Sequence, residues 1–281
     1  MLIFSEKNAL KNFLAPFVSQ KKSIGFVPTM GALHEGHLSL LNKSLKDNEV
    51  TVISIFVNPT QFNNTEDLKK YPRTFEADVE KIKKLNPSII IYNPSVEDIY
   101  EGKTISQHFD FDGLENQMEG KHRPGHFDGV GTIVKMLFEI VLPTNAYFGE
   151  KDFQQLQIVK KLVSKYKIPV QIIGCTIHRE TNGLAMSSRN ERLSQEARKE
   201  ASIIYKTLKK TKTHFKNNSA QSTVSFVERE FLKHTKFELE YFEIADELSL
   251  IPCTRKNKNK KYRGFIAVFI ENIRLIDNIQ L

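Results

Sequence analysis

The sequence predicts an α/β fold, a doubly wound and mostly parallel sheet followed by a smaller α+β unit. Three observations point there. Strand and helix patterns alternate through the first two thirds of the chain, the order that builds a parallel sheet with helices on both faces. Residues 50–57 (VTVISIFV) are β-branched and apolar almost throughout, as a strand covered on both sides requires. After about Cys175 the alternation stops: a polar, turn-rich segment leads to two amphipathic helices and then to strands with antiparallel-style connections.

Residues 23–27 (SIGFV) read as a buried strand, and 36–48 as a helix with Leu38, Leu41 and Leu45 on one face. Strand 50–57 is followed by helix 74–85, with Thr74 placed to cap it and Phe75, Val79 and Ile82 inward. Strand 88–92 comes after a proline. Helix 127–141, short strand 145–148, helix 153–166 (stopped before Pro169) and strand 169–175 complete a Rossmann-like order, whose ligands lie outside the carboxyl ends of the strands. With the boundary at 177, the expected division is 1–177 for a Rossmann-like domain and 178–281 for a smaller α+β lid. The lid holds helices 195–210 and 220–234 and strands near 238–245, 263–269 and 274–279.

Composition bounds the function. At 281 residues, 40% hydrophobic and 26% charged, the chain reads as a soluble globular protein. Apolar runs such as 88–92 are strand-sized, which argues against a membrane partner. The start, MLIFSEKNALKNF, carries Glu6 and lysines where a signal peptide needs its apolar stretch, so a cytoplasmic location is expected. Cys175 and Cys253 lie far apart without a C-x-x-C pairing, which fits reduced thiols. Of the +8 net charge, six positive residues sit in RKNKNKKYR (255–263), leaving +2 elsewhere. Only Tyr262 interleaves with them, so the run reads as a solvated loop and no nucleic-acid partner is expected.

The candidate site residues all follow strands. PTMGALHEGH (28–37) puts His34 and His37 at a helix start, where free N–H groups and the helix dipole favour an anion, and Gly31 and Gly36 remove side chains from its path. The i,i+3 spacing argues against a helical zinc pair. In FVNPTQF (56–62), Asn58 and Gln61 are neutral amides suited to a hydroxyl or carboxylate. In YFGEKDFQQL (147–156), Gly149 turns the chain and Glu150, Lys151 and Asp152 open a helix. Lys151 offers a mobile cation for phosphate, Asp152 a carboxylate for a magnesium ion or for Lys151, and Gln155 faces the same crevice one turn on. GLAMSSRNERLS (183–194) adds an apolar Met186, the hydroxyls of Ser187 and Ser188, and the forked cation Arg189 on a hinge able to close over a nucleotide. In GKHRPGHFDGVG, Gly129 and Gly131 allow close approach to a helix start, and His126 reads as structural. Gly-rich phosphate loops and a nucleophile elbow are absent, so phosphates would be held by side chains and helix ends.

Together these stretches, with YPRTFEAD, RPGHFDGV and the C-terminal RLIDNI, resemble the pantoate–β-alanine ligase family of H-x-G-H nucleotidyltransferases, here His34-Glu35-Gly36-His37. The resemblance implies ATP-dependent, AMP-forming condensation of (R)-pantoate with β-alanine through a pantoyl adenylate, with Mg2+ accompanying ATP and no protein ligand for it assigned. It implies an ATP site of Met30, Gly31, Ala32, Leu33, His34, Glu35, Gly36, His37, Gly149, Glu150, Lys151, Asp152, Met186, Ser187, Ser188 and Arg189, together with His178, where the family usually has valine. Pantoate would be held by Gln61 and Gln155 with Asn58 nearby, and β-alanine by Gln61. His37, His34 and Lys151 would form the catalytic set, His37 at the family's proton-donor position, and the chain would be a homodimer. Two other readings remain open on the residues alone: a nucleotidyltransferase that keeps the nucleotide on its product, and a non-catalytic nucleotide- or RNA-binding module using the basic loop.

Overall fold

The computed structural model describes Met1–Leu281. Its larger sheet has six strands in the order β1-β4-β3-β2-β5-β6, every neighbouring pair parallel. The strands are β1 (Leu2–Phe4), β2 (Ile24–Thr29), β3 (Val50–Ile55), β4 (Ile90–Tyr92), β5 (Asn145–Gly149) and β6 (Gln171–Cys175). Five of the six β3 residues are buried, which explains the unbroken apolar pattern. Helices α1 (Lys7–Ser19), α2 (Glu35–Asp47), α3 (Thr65–Lys70), α4 (Phe75–Leu85), α5 (Val96–Tyr100), α6 (Met118–His122), α7 (His126–Val141) and α8 (Phe153–Tyr166) make up the rest of this part. From β2 the chain steps outward through β3 to β4, then returns to the other side of β2 through β5 and β6. The reversal point, between β2 and β5, is where a doubly wound sheet opens a crevice.

The second sheet is antiparallel, in the order β7 (Glu238–Asp246), β8 (Tyr262–Ile270), β9 (Ile273–Gln280), and packs with α9 (Gln195–Glu200), α10 (Ser202–Asn217) and α11 (Ala220–Phe231). Glu271 and Asn272, both with positive φ, close the β8–β9 hairpin. The hydrophobic cluster of this part begins at Leu184, whereas Ala245, Leu250 and Phe265 belong to the large cluster of the first sheet, so the two parts share packed surface.

Several expectations are corrected. β1 and α1 were not legible: the strand is three residues long, and α1, which buries Leu10 and Leu14, contains Pro16. Thr74 occupies the N-cap position without a capping bond. The helix expected at 195–210 breaks at Ala201 and continues to Asn217. Arg263 and Tyr262 do not belong to a solvated loop: both are buried in β8, Arg263 donating to Glu247 (2.9 Å) and Asn278 (2.6 Å).

Candidate active site

The β2–β5 ladder has only two rungs, Gly25 with Asn145 and Phe26 with Ala146. Farther along β2, Pro28 has no N–H with which to continue it. Beyond that point the strands part around a cavity of about 220 Å³, lined by residues from both carboxyl ends and from the loop at 186–189. Of the residues named from sequence, the structure brings Met30, His34, Gly36, His37, Asn58, Gln61, Gly149, Lys151, Asp152, Gln155, His178, Met186, Ser187, Ser188 and Arg189 to this one cavity.

His34 is the N-cap of α2. Its Nδ1 accepts from the Gly36 N–H (3.1 Å), and Nδ1 of His37 accepts from the His34 N–H (3.4 Å), with the rings stacked at 4.0 Å. An Nδ1 that accepts carries no proton, so each neutral ring bears its hydrogen on Nε2. Burial, then the positive charges of Lys151 and Lys81, push His34 down to about 4. Burial, His34 and Lys151 hold His37 well below its ordinary value. Both imidazoles are therefore neutral Nε2–H donors at pH 7.

The glycines also answer to close contacts within the protein. A Cβ on Gly36 would lie 2.8–2.9 Å from the His34 ring, so its bareness makes room for the capping imidazole. Gly31, at φ +79, turns the loop beside Ile55 and Asp78. Gly36 also lines the cavity. Gly31, Ala32, Leu33, Glu35 and Glu150 do not line the cavity. Leu33 is core, Glu35 is exposed, and the Glu150 carboxylate lies toward Arg263. The N–H groups of Ala32 and Leu33 are taken by the two oxygens of buried Asp78, at 2.8 and 2.7 Å. Asp78 braces the histidine loop from α4. In sequence it was one of two acids in YPRTFEAD, with nothing to mark it as buried.

The opposite wall is neutral. Buried Asn58 donates to Gln61 Oε1 and to the Gly129 carbonyl (both 3.2 Å) and accepts from Tyr100 (2.6 Å) and Thr60 (3.2 Å). Its amide is spent within the protein, so it positions Gln61 instead of offering a free group to a ligand. His126, buried and pushed down to about 3 by burial and by Arg123, bonds the Gln61 carbonyl through Nδ1 at 2.7 Å, a structural role as expected. Gly129 and Gly131 admit protein: a Cβ would meet the Thr60 carbonyl at 2.4 Å and the Phe109 and Phe111 rings at 3.0 Å.

On the third side, Ser188 bonds the Tyr71 hydroxyl (3.1 Å), and Arg189 pairs with Asp67 (2.7 Å), which also takes Arg192 (3.1 Å). The contacts of Tyr71 and Asp67 left no trace in the sequence because their partners lie more than a hundred residues away. The His178 carbonyl accepts from the Met186 N–H (3.0 Å). Lys151 Nζ stands 3.6 Å from Asp152 Oδ2. No group of three or more His, Cys, Asp or Glu side chains is placed to hold a metal ion, and Asp152 is the one carboxylate in the cavity lining. That donor set suits a magnesium ion carried mainly by phosphates and water, not a protein-caged one.

Comparison with known proteins follows the same outline. The family described as pantoate-beta-alanine ligase matches residues 2–280. The chain is 66% identical to pantothenate synthetase of Flavobacterium psychrophilum over 281 residues, covering both chains completely. It is 53% identical to that of Christiangramia forsetii, over 100% of this chain and 99% of the relative. Among solved structures, pantothenate synthetase from Thermus thermophilus superposes with a TM-score of 0.90 at 36% identity, covering 100% and 99% of the two chains. The Francisella tularensis pantoate-beta-alanine ligase, complexed with beta-gamma ATP and beta-alanine, gives 0.83 at 36% identity, covering 100% and 97%. No helix is long and apolar enough to cross a membrane.

Proposed function

The chain belongs to the pantoate–β-alanine ligase family, and we propose that it joins (R)-pantoate to β-alanine with ATP through a pantoyl adenylate bound in the β2–β5 cavity. One observation carries this: a single cavity has a wall of cations and N–H donors and a wall of neutral amides. A carboxylate attacking the α-phosphorus of ATP brings two anions together. The phosphate side therefore needs positive groups, while the acid needs partners that do not repel it.

The side chains fit those needs. Nε2–H of His34 and His37 donates to phosphate oxygens without bringing a full charge, and Lys151 and Arg189 supply the positive charge. Arg189 exchanges its Asp67 partner for phosphate as the segment 178–281 closes over the nucleotide. Gln61 and Gln155 hold the pantoate, with Gln61 kept in place by Asn58 and by His126, and Gln61 also meets β-alanine. Mg2+, arriving with ATP, would be faced by Asp152 and would offset charge on the phosphates. A pantoate carboxylate oxygen then bonds to the α-phosphorus as pyrophosphate leaves. The β-alanine nitrogen next attacks the acyl carbon, the C–O bond breaks, and AMP departs. The protein forms no covalent bond to substrate, in keeping with a cavity lined by donors and amides.

The test supplies ATP, magnesium and pantoate without amine. Pantoate-dependent pyrophosphate release is expected at once, with AMP appearing only after β-alanine is added. AMP release that needs no amine, or pyrophosphate release indifferent to pantoate, overturns the proposal.

A further inference from the structure

Lys151 sits on a single 3-10 turn, Glu150–Asp152, that has no side-chain cap of its own. Neither Gly149 before it nor Asp152 at the start of α8 makes a side-chain capping bond. The support comes from the other sheet. Asn278, in β9 and 2% exposed, donates its Nδ2 to the carbonyls of Glu150 (2.8 Å) and Lys151 (2.9 Å). The orientation of this amide is dictated by its neighbour: Arg263 donates to Oδ1 at 2.6 Å, so the NH2 must face the turn. Arg263 is itself fixed by Glu247 and lies 4.0 Å over the Phe153 ring, just past the turn. The adjacent Asp277 takes Arg179 through both oxygens, at 2.6 and 2.9 Å, and Arg179 also holds the Gly183 carbonyl. Two consecutive β9 residues thus grip the Lys151 turn and the segment that leads to Ser187 and Arg189.

We infer that Asn278 is a positioning residue for the reaction, setting Lys151 against the triphosphate from the C-terminal sheet. The inference rests on the reading of Lys151 as a phosphate-binding cation. Asn278 touches no substrate. Its effect passes through two backbone carbonyls, and a small misplacement of a reacting group is enough to cost about 100-fold. It follows that the C-terminal sheet is part of the device that aims the lysine, in addition to covering the site.

The experiment compares N278A, N278D, K151A and the double variant K151A/N278A in the full chain, by pantoate-dependent pyrophosphate release and by thermal melting. N278D keeps the shape and the Arg263 contact but turns an acceptor toward the two carbonyls. The single Asn278 variants are expected to lose about 10- to 100-fold in kcat, with KM for pantoate within about threefold and a cooperative melt retained. The double variant is expected within about threefold of K151A, because with the lysine gone there is nothing left to position. Activity of N278A and N278D within twofold of wild type overturns the inference, as do losses that multiply in the double variant or failure of both single variants to fold. Near-wild-type activity of K151A instead removes the Lys151 reading itself, and the inference with it.

Discussion

The chemistry of His34 and His37 is decided by what occupies their Nδ1 atoms. Backbone N–H groups take that position in both rings, and burial beside Lys151 and Lys81 keeps the rings neutral. A neutral donor can follow charge into a transition state without the desolvation cost of an imidazolium. The same arrangement links stability to pH. His34 titrates at about 4 when folded against an ordinary 6.5, so the folded state binds fewer protons than the unfolded one in that window. Its contribution is complete above about 6.5 and drains away as the pH falls toward 4. Asparagine at position 34 caps α2 equally well and does not titrate. Between pH 7 and pH 5, His34→Asn is therefore expected to lose on the order of 2–4 °C less in Tm than wild type, about 1 kcal/mol after allowing for partial exposure. Equal losses in the two proteins would show that His34 is not held neutral. In the sequence the histidine pair was visible as a cluster after a strand. Its neutrality was not, since Lys81 and Lys151 reach it from other elements. Asn58 shows the same limit: an amide at a strand end is easy to see, but its commitment to Tyr100 and Gly129 arises only on folding.

Among the elements, the long apolar strands and amphipathic helices were legible because periodicity is local. The shortest were mostly not: β1 has three residues and α5 and α6 five, and only β4, also three residues, stood out as the apolar run 88–92. These short pieces nonetheless help to shape the neutral-amide side of the cavity. α5 supplies Tyr100 to Asn58, and the N-terminal turns of α7 press on the Thr60–Gln61 backbone at Gly129. A methyl group at 129 would fall 2.4 Å from the Thr60 carbonyl oxygen, against backbone that cannot swing aside like a side chain. Gly129→Ala is expected to cost about 1–3 kcal/mol in urea unfolding and to raise KM for pantoate several-fold while leaving KM for ATP near wild type. Wild-type stability with an unchanged pantoate KM would mean that α7 does not set the Gln61 loop.

For the molecule as a whole, the alternation of strands and helices was enough to anticipate a parallel sheet, and the rule for such sheets located the crevice at the carboxyl ends. What could not be read was how the C-terminal sheet is joined to it. Glu119 in α6 accepts from both terminal nitrogens of Arg274 (2.8 and 2.7 Å) and from the Tyr241 hydroxyl (2.6 Å) of the second sheet. Burial opposes its charge, but Arg274 prevails and draws the carboxyl down to about 2. With Asn278 on the Lys151 turn, these contacts tie the C-terminal sheet to α6 and to the end of β5. Such pairs span more than a hundred residues and leave no periodic trace. The proposed reaction requires a pantoate carboxylate to reach the α-phosphorus of ATP in the β2–β5 cavity. The most direct test of that encounter is isotopic: turnover with pantoate carrying 18O in both carboxylate oxygens, followed by mass analysis of the AMP and pyrophosphate. One 18O per AMP and none in pyrophosphate is the expected result. Unlabelled AMP, or label in a phosphate derived from the β or γ position, would contradict it.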